Sequence, residues 1–179
     1  MLRFRRGYPG ALSTSAFAAG VLLGIISSAG AAETPFRPER FLDGHTRSSG
    51  VFQNTVGKRQ QRFTTECRGR RRGDTLFLDQ RFRYDDGRTQ DRRWQIKRVD
   101  AVHYVGRAND VVGVARGEVD SATFRFAYTV ALKPGNPLFN VRLDQTMTLQ
   151  RDGTLQNYAT IRKFGVVLSR VTERFRRVD

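Results

Sequence analysis

Apolar and polar residues alternate along most of this chain. The cleanest run lies at residues 122–132, where Phe124, Phe126, Tyr128, Val130 and Leu132 alternate with Thr123, Arg125, Ala127, Thr129 and Ala131. A period of two marks a strand with one buried face. The same period groups Gln61, Phe63, Thr65 and Cys67, then Leu76, Leu78, Gln80, Phe82 and Tyr84, then Arg92, Trp94 and Ile96. Val102 and Tyr104 share a face, as do Val141, Leu143, Gln145, Met147 and Leu149, and then Leu155, Asn157, Ala159 and Ile161. Residues 164–178 read as the last strand.

Turn chemistry separates these runs. Asp85-Asp86-Gly87 and Asp152-Gly153 are hairpin signals, because glycine accepts the positive φ such turns require. Residues 69–73 form a basic turn, and residues 134–137 hold two prolines in a loop. Glycines within the valine-rich stretch 110–119 predict a bulge or bend. Before the first strand, Pro38 to Leu42 reads as one helical turn with proline at its first position and Gly44 at its end.

The pattern predicts an all-β fold of roughly nine or ten short antiparallel strands. Strands with one apolar face each must close on themselves or split into two sheets. The first choice is an up-and-down, lipocalin-like β-barrel with a short N-terminal helical turn; a sandwich is second. Arginines on the opposite faces argue against a barrel embedded in lipid.

The beginning of the chain changes the charge picture. Arg3, Arg5 and Arg6 precede a mostly apolar run at 11–26 and then small residues ending at Ala31 and Ala32. That order is the layout of a secretory signal peptide at residues 1–31, with cleavage after Ala31 or Ala32. Residues 32–47 read as an extended lead-in and 48–179 as one barrel domain. The expected location is the periplasm or the exterior, with the protein soluble after cleavage. Removing the leader takes away three arginines and no acids, lowering the formal charge from +15 to +12. A basic exported protein is suited to anionic lipid or an acidic partner, and nucleic acid is not expected. Oligomeric state is not legible. The single cysteine, Cys67, excludes an internal disulfide and reads as a small buried apolar residue.

Five motifs occur in order: FRPERF at 36–41, FRYDDG at 82–87, RRW at 92–94, YVGRANDVVGVARG at 104–117 and NYATIRKFG at 157–165. Together they resemble a domain-of-unknown-function family of small bacterial envelope proteins, many of them lipoproteins. The resemblance implies an exported, lipocalin- or calycin-like β domain and carries no catalytic residues. This chain departs from the family pattern in lacking a lipoprotein cysteine. It also has Gln80 where many members have glutamate, Gln145 in place of a late tryptophan, and arginine where a tryptophan is expected near Gly69.

The chemistry-bearing candidates are polar residues that interrupt apolar faces. Gln80 stands between Leu78 and Phe82, and Gln145 between Leu143 and Met147. Asn157 precedes Ala159, Lys163 follows Ile161, and Arg92 shares a face with Trp94. Buried polar groups cost free energy unless paired, so several on one lining point to a wet pocket that orients a ligand. With Tyr104 and Asp110, these residues form the candidate ligand site, in which Arg92 and Lys163 favour an anionic group on a small amphipathic or lipid-like molecule. The competing reading makes Arg92 a plug, stacked on Trp94 and paired with Asp110, and puts Lys163 at a rim. A second functional reading is a non-enzymatic envelope protein that turns a basic surface to an anionic membrane or acidic partner. An enzyme of unknown reaction comes third. His45 and His103 lack metal-ligand spacing, no nucleophile elbow or phosphate loop is present, and neither a metal nor a cofactor is expected.

Overall fold

The computed structural model of the chain describes residues 36–178, so the predicted leader at residues 1–31 lies outside them. A short helix α1 (Pro38–Phe41) leads into β1 (Gly44–Asn54), β2 (Gln60–Arg72), β3 (Thr75–Tyr84), β4 (Thr89–Arg98) and β5 (His103–Ala108). These are followed by β6 (Val111–Asp120), β7 (Thr123–Ala131), β8 (Asn140–Leu149), β9 (Leu155–Lys163) and β10 (Val166–Arg177). Each strand pairs antiparallel with its neighbour in sequence, and β1 also pairs with β10. The result is the closed up-and-down barrel that the alternation predicts, with ten strands.

Closure explains why the alternation is so regular. A closed sheet has no unpaired edge, and every strand must send every second side chain inward. Leu76, Leu78, Trp94, Phe124, Phe126, Tyr128, Leu143 and Phe175 fill one continuous core. Arginines such as Arg81, Arg83, Arg93, Arg125 and Arg142 occupy exposed outward positions of the wall. Two inward glycines make room for rings: a Cβ on Gly117 would lie 2.5 Å from the Phe124 ring, and one on Gly106 would lie 2.7 Å from Phe126. The glycine-rich strand β6 also carries the expected irregularity, a register shift between Val112 and Arg116.

The two barrel ends differ. At one end α1 folds across the opening, with Phe36, Phe41 and Leu42 buried and the Phe36 N–H donating to the Ser121 carbonyl at 2.9 Å. The Leu42 carbonyl rests on Gly69, where a Cβ would come within 1.7 Å of it. At the other end the hairpin connections at 55–59, 85–88, 109–110, 132–139 and 164–165 form an open rim. Beneath the rim, Phe52, Phe63, Phe82 and Tyr84 make an aromatic cluster, with the Phe52 and Phe63 centroids 4.8 Å apart.

Five details depart from the sequence expectation. Arg70, Arg71 and Arg72 continue β2, so the turn falls at 73–74 and not at 69–73. β1 begins at Gly44, ahead of the expected boundary at 48, because the strand starts directly after the helical turn. Val102 sits in a bend before β5. Leu132 does not face inward: β7 ends at Ala131, and Leu132 leaves the wall 61% exposed. Phe164 belongs to the β9–β10 turn, not to the last strand.

Candidate ligand-binding interior

The inward side chains leave an interior void of about 80 Å³. Gln80, Arg92, Trp94, Gln145 and Asn157 all line it. Tyr104, Asp110 and Lys163, the other three sequence candidates, do not. The polar residues that interrupt apolar faces therefore converge for the most part, and each meets a distinct fate.

Arg92 is built into the wall. Its Nε donates to both Asp110 carboxylate oxygens at 2.9 Å, its Nη2 to Asp110 Oδ2 at 2.7 Å, and its Nη1 to the Tyr128 hydroxyl at 3.2 Å. Its Cζ lies 5.6–5.9 Å from the ring centroids of Phe82, Trp94 and Tyr128. Asp110 answers its charge from the β5–β6 connection. Asp110 is thus the partner of Arg92, as in the plug reading.

Gln80 is likewise engaged. Its Oε1 accepts from Trp94 Nε1 at 3.1 Å, and its Nε2 donates to Cys67 Sγ at 3.6 Å. Burial pushes the Cys67 thiol up to about 12, so it stays a neutral packing group. Tyr104 lies at the closed end, donating its hydroxyl to Glu39 Oε2 at 2.8 Å and fixing α1 over the opening. Burial is the main cause that raises its hydroxyl to about 12. Lys163 stands at the open rim, its Nζ 5.4 Å from the Phe139 and Phe164 rings.

The residue that the alternation analysis passes over is Glu173. It projects inward from β10 between Val171 and Phe175 and is buried. Oε1 accepts from the Ser48 hydroxyl at 2.5 Å and from Thr65 at 3.1 Å, while Oε2 accepts from Asn157 Nδ2 at 3.1 Å. Burial raises its carboxyl above the ordinary range, opposed by those three hydrogen bonds and by the charge of Arg92. The clue in the sequence was the triplet Val171, Glu173, Phe175 at period two, masked by the arginines at 170, 174, 176 and 177.

Two residues that line the void carry side-chain groups without a protein partner. Asn157 is 1% exposed, yet its Oδ1 has no hydrogen bond. The half-buried Gln145 also lines the void, and no side-chain hydrogen bond forms there among the described residues. Outside the interior, His45 Nε2 lies 2.7 Å from Glu66 and His103 Nδ1 lies 2.8 Å from Asp100, each on the outer surface.

A family model described as "Protein of unknown function (DUF3833)" matches residues 20–177. The chain belongs to that family. No functionally curated protein matches it in sequence. The DUF3833 barrel is similar in structure to the S-type phycobiliprotein lyase CPES from Guillardia theta. The two share a TM-score of 0.60 at 7% identity, over 79% of this chain and 90% of the lyase. At that identity the likeness speaks to the fold, which is the lipocalin-like barrel implied by the five motifs.

Proposed function

We propose that this DUF3833 barrel binds a small amphipathic ligand end-on, with its polar end in the interior and its apolar remainder directed to the open rim. The observation that carries the reading is Asn157 Oδ1, a buried acceptor with no hydrogen-bond partner on a residue that lines the void. An unsatisfied buried carbonyl costs about 1–3 kcal/mol, and a ligand hydroxyl or amide N–H, or a bound water, would recover it. Glu173, with its raised pKa, supplies a second hydrogen-bonding group beside it. A barrel of the same fold serves as a phycobiliprotein lyase in Guillardia theta.

The size and charge of the interior refine the class of ligand. The void of about 80 Å³ is well below the roughly 300–1,000 Å³ of sites that enclose a drug-sized molecule. It takes the end of a ligand, and the rest must displace the aromatic cluster of Phe52, Phe63, Phe82 and Tyr84. Arg92 is neutralised by Asp110, so the interior favours a neutral polar end over a carboxylate. The anionic preference expected from Arg92 and Lys163 therefore belongs to the rim.

Trp94 is the only tryptophan and lines the void, which makes it a built-in reporter. Titration with a series of straight-chain alkanols should change its fluorescence saturably, and the matching alkanoates at neutral pH should bind more weakly. Asn157→Leu should weaken alkanol binding about tenfold, the equivalent of one hydrogen bond of roughly 1.4 kcal/mol. Equal binding by the variant, or no saturable response to either series, contradicts the reading.

A further inference from the structure

Half of the open rim has a character found nowhere else among the described residues. Three connections lie side by side there: 55–59 between β1 and β2, 164–165 between β9 and β10, and 132–139 between β7 and β8. The Thr55 N–H donates to the Leu168 carbonyl at 3.0 Å, tying the first to β10. Lys163 lies 5.4 Å from both the Phe139 and the Phe164 rings, joining the second and third.

Val56, Leu132, Leu138, Phe139, Phe164 and Val166 are exposed on this arc, half of the exposed large apolar side chains among the described residues. Phe164 is the extreme case, 83% exposed at the tip of a two-residue turn with φ of 48°. That backbone region favours glycine or asparagine, and a bulky aromatic there, largely exposed, is an outlier. Lys58, Lys133 and Lys163, three of the four lysines in the chain, stand on the same arc. Lys133 Nζ sits 4.2 Å from the Phe139 centroid, an ammonium held beside an exposed ring. The three connections contain no aspartate or glutamate. The acids of the rim, Asp85, Asp86 and Asp110, are confined to the other connections.

From this arrangement we infer that the arc is a docking surface for an anionic lipid bilayer. Projecting apolar tips flanked by lysines suit the boundary between head groups and acyl chains, where the rings enter and the ammonium groups meet phosphates. A second copy of the chain is a poorer occupant, since face-to-face contact would oppose the same lysines. The arginines of the barrel wall are a different surface: Arg47, Arg81, Arg142 and Arg162 are each paired with an acid. Docking this way turns the open end, and not the wall, to the membrane, whatever the interior binds.

The test places a tryptophan at the tip by Phe164→Trp in the full chain. The variant is mixed with vesicles of phosphatidylglycerol and phosphatidylcholine in equal parts, carrying acyl-brominated lipid that quenches only inserted rings. Quenching of the tip tryptophan is expected, with buried Trp94 as a constant background. Adding Lys133→Glu and Lys163→Glu should weaken the partitioning by about thirtyfold or more, as loss of two near-surface lysines predicts. A control tryptophan at Arg125→Trp, on the outer wall, should stay unquenched. The inference is overturned by an unquenched tip, by equal quenching of the wall control, or by equal quenching with pure phosphatidylcholine vesicles. It is also overturned by concentration-dependent self-association that buries the tip without any vesicle response.

Discussion

Asn157 and Glu173 face one another across β9 and β10, and the amide Nδ2 donates to carboxyl Oε2 at 3.1 Å. Ser48 and Thr65 hold the other carboxyl oxygen from β1 and β2. This cross-strand pair shares the interior with the other polar lining residues, Gln80, Arg92 and Gln145. It leaves the buried Asn157 Oδ1 without a hydrogen-bond partner.

The raised pKa of Glu173 makes stability depend on pH with a definite sign. In strong acid the carboxyl is protonated in both the folded and the unfolded chain, and no penalty arises. As pH climbs through the ordinary carboxylate range, the unfolded chain releases its proton first, and the fold loses stability until pH passes the raised value. Glu173→Gln keeps a neutral group of the same shape and removes that loss. Thermal melts should show equal midpoints for variant and parent in acid and a higher midpoint for the variant at neutral pH. A pH-independent difference would contradict this.

Removing Asp110 should be costly for a different reason. Arg92 and Asp110 have side chains only 10% and 15% exposed, so Asp110→Ala strands a buried cation. The expected loss is about 3–5 kcal/mol in urea denaturation. Asp91→Ala, which breaks the exposed Arg81–Asp91 pair, should leave the midpoint close to that of the parent.

Gly69→Ala tests the closed end. The new Cβ would fall 1.7 Å from the Leu42 carbonyl oxygen, and this neighbour is backbone that cannot rotate away. The helical turn must lift from the barrel, with a loss of about 1–3 kcal/mol in the same urea assay.

Cys67 should resist alkylation by iodoacetamide at mildly basic pH until denaturant is added. It is 0% exposed, and burial holds its thiol near 12. Rapid reaction in the native state would show that this part of the wall opens.

Much of the barrel could be read from the chain because a closed sheet enforces period two on every strand. Residues such as Phe124, Phe126 and Tyr128 on β7 announce their face directly. The ends of strands were less legible. Leu132 continues the alternation by one step after pairing has stopped, and Phe164 looks like strand although it is a turn. The site was partly legible through Gln80, Arg92, Trp94, Gln145 and Asn157, which interrupt apolar faces and line one void. What sequence alone could not supply was pairing in space. Asp110 neutralises Arg92 from another connection, and Trp94 and Cys67 occupy Gln80. Glu173 stayed hidden because it lies in an arginine-rich segment, while its neighbours in space are Ser48, Thr65 and Asn157.

The most direct test of ligand binding is a high-resolution crystal structure of the protein with octanol. The account predicts the hydroxyl oxygen within hydrogen-bonding distance of Asn157 Oδ1, with the alkyl chain running past Phe52 and Phe63 toward the rim. Octanol bound in the reverse orientation, or found only on the outer wall with the interior unchanged, would contradict it.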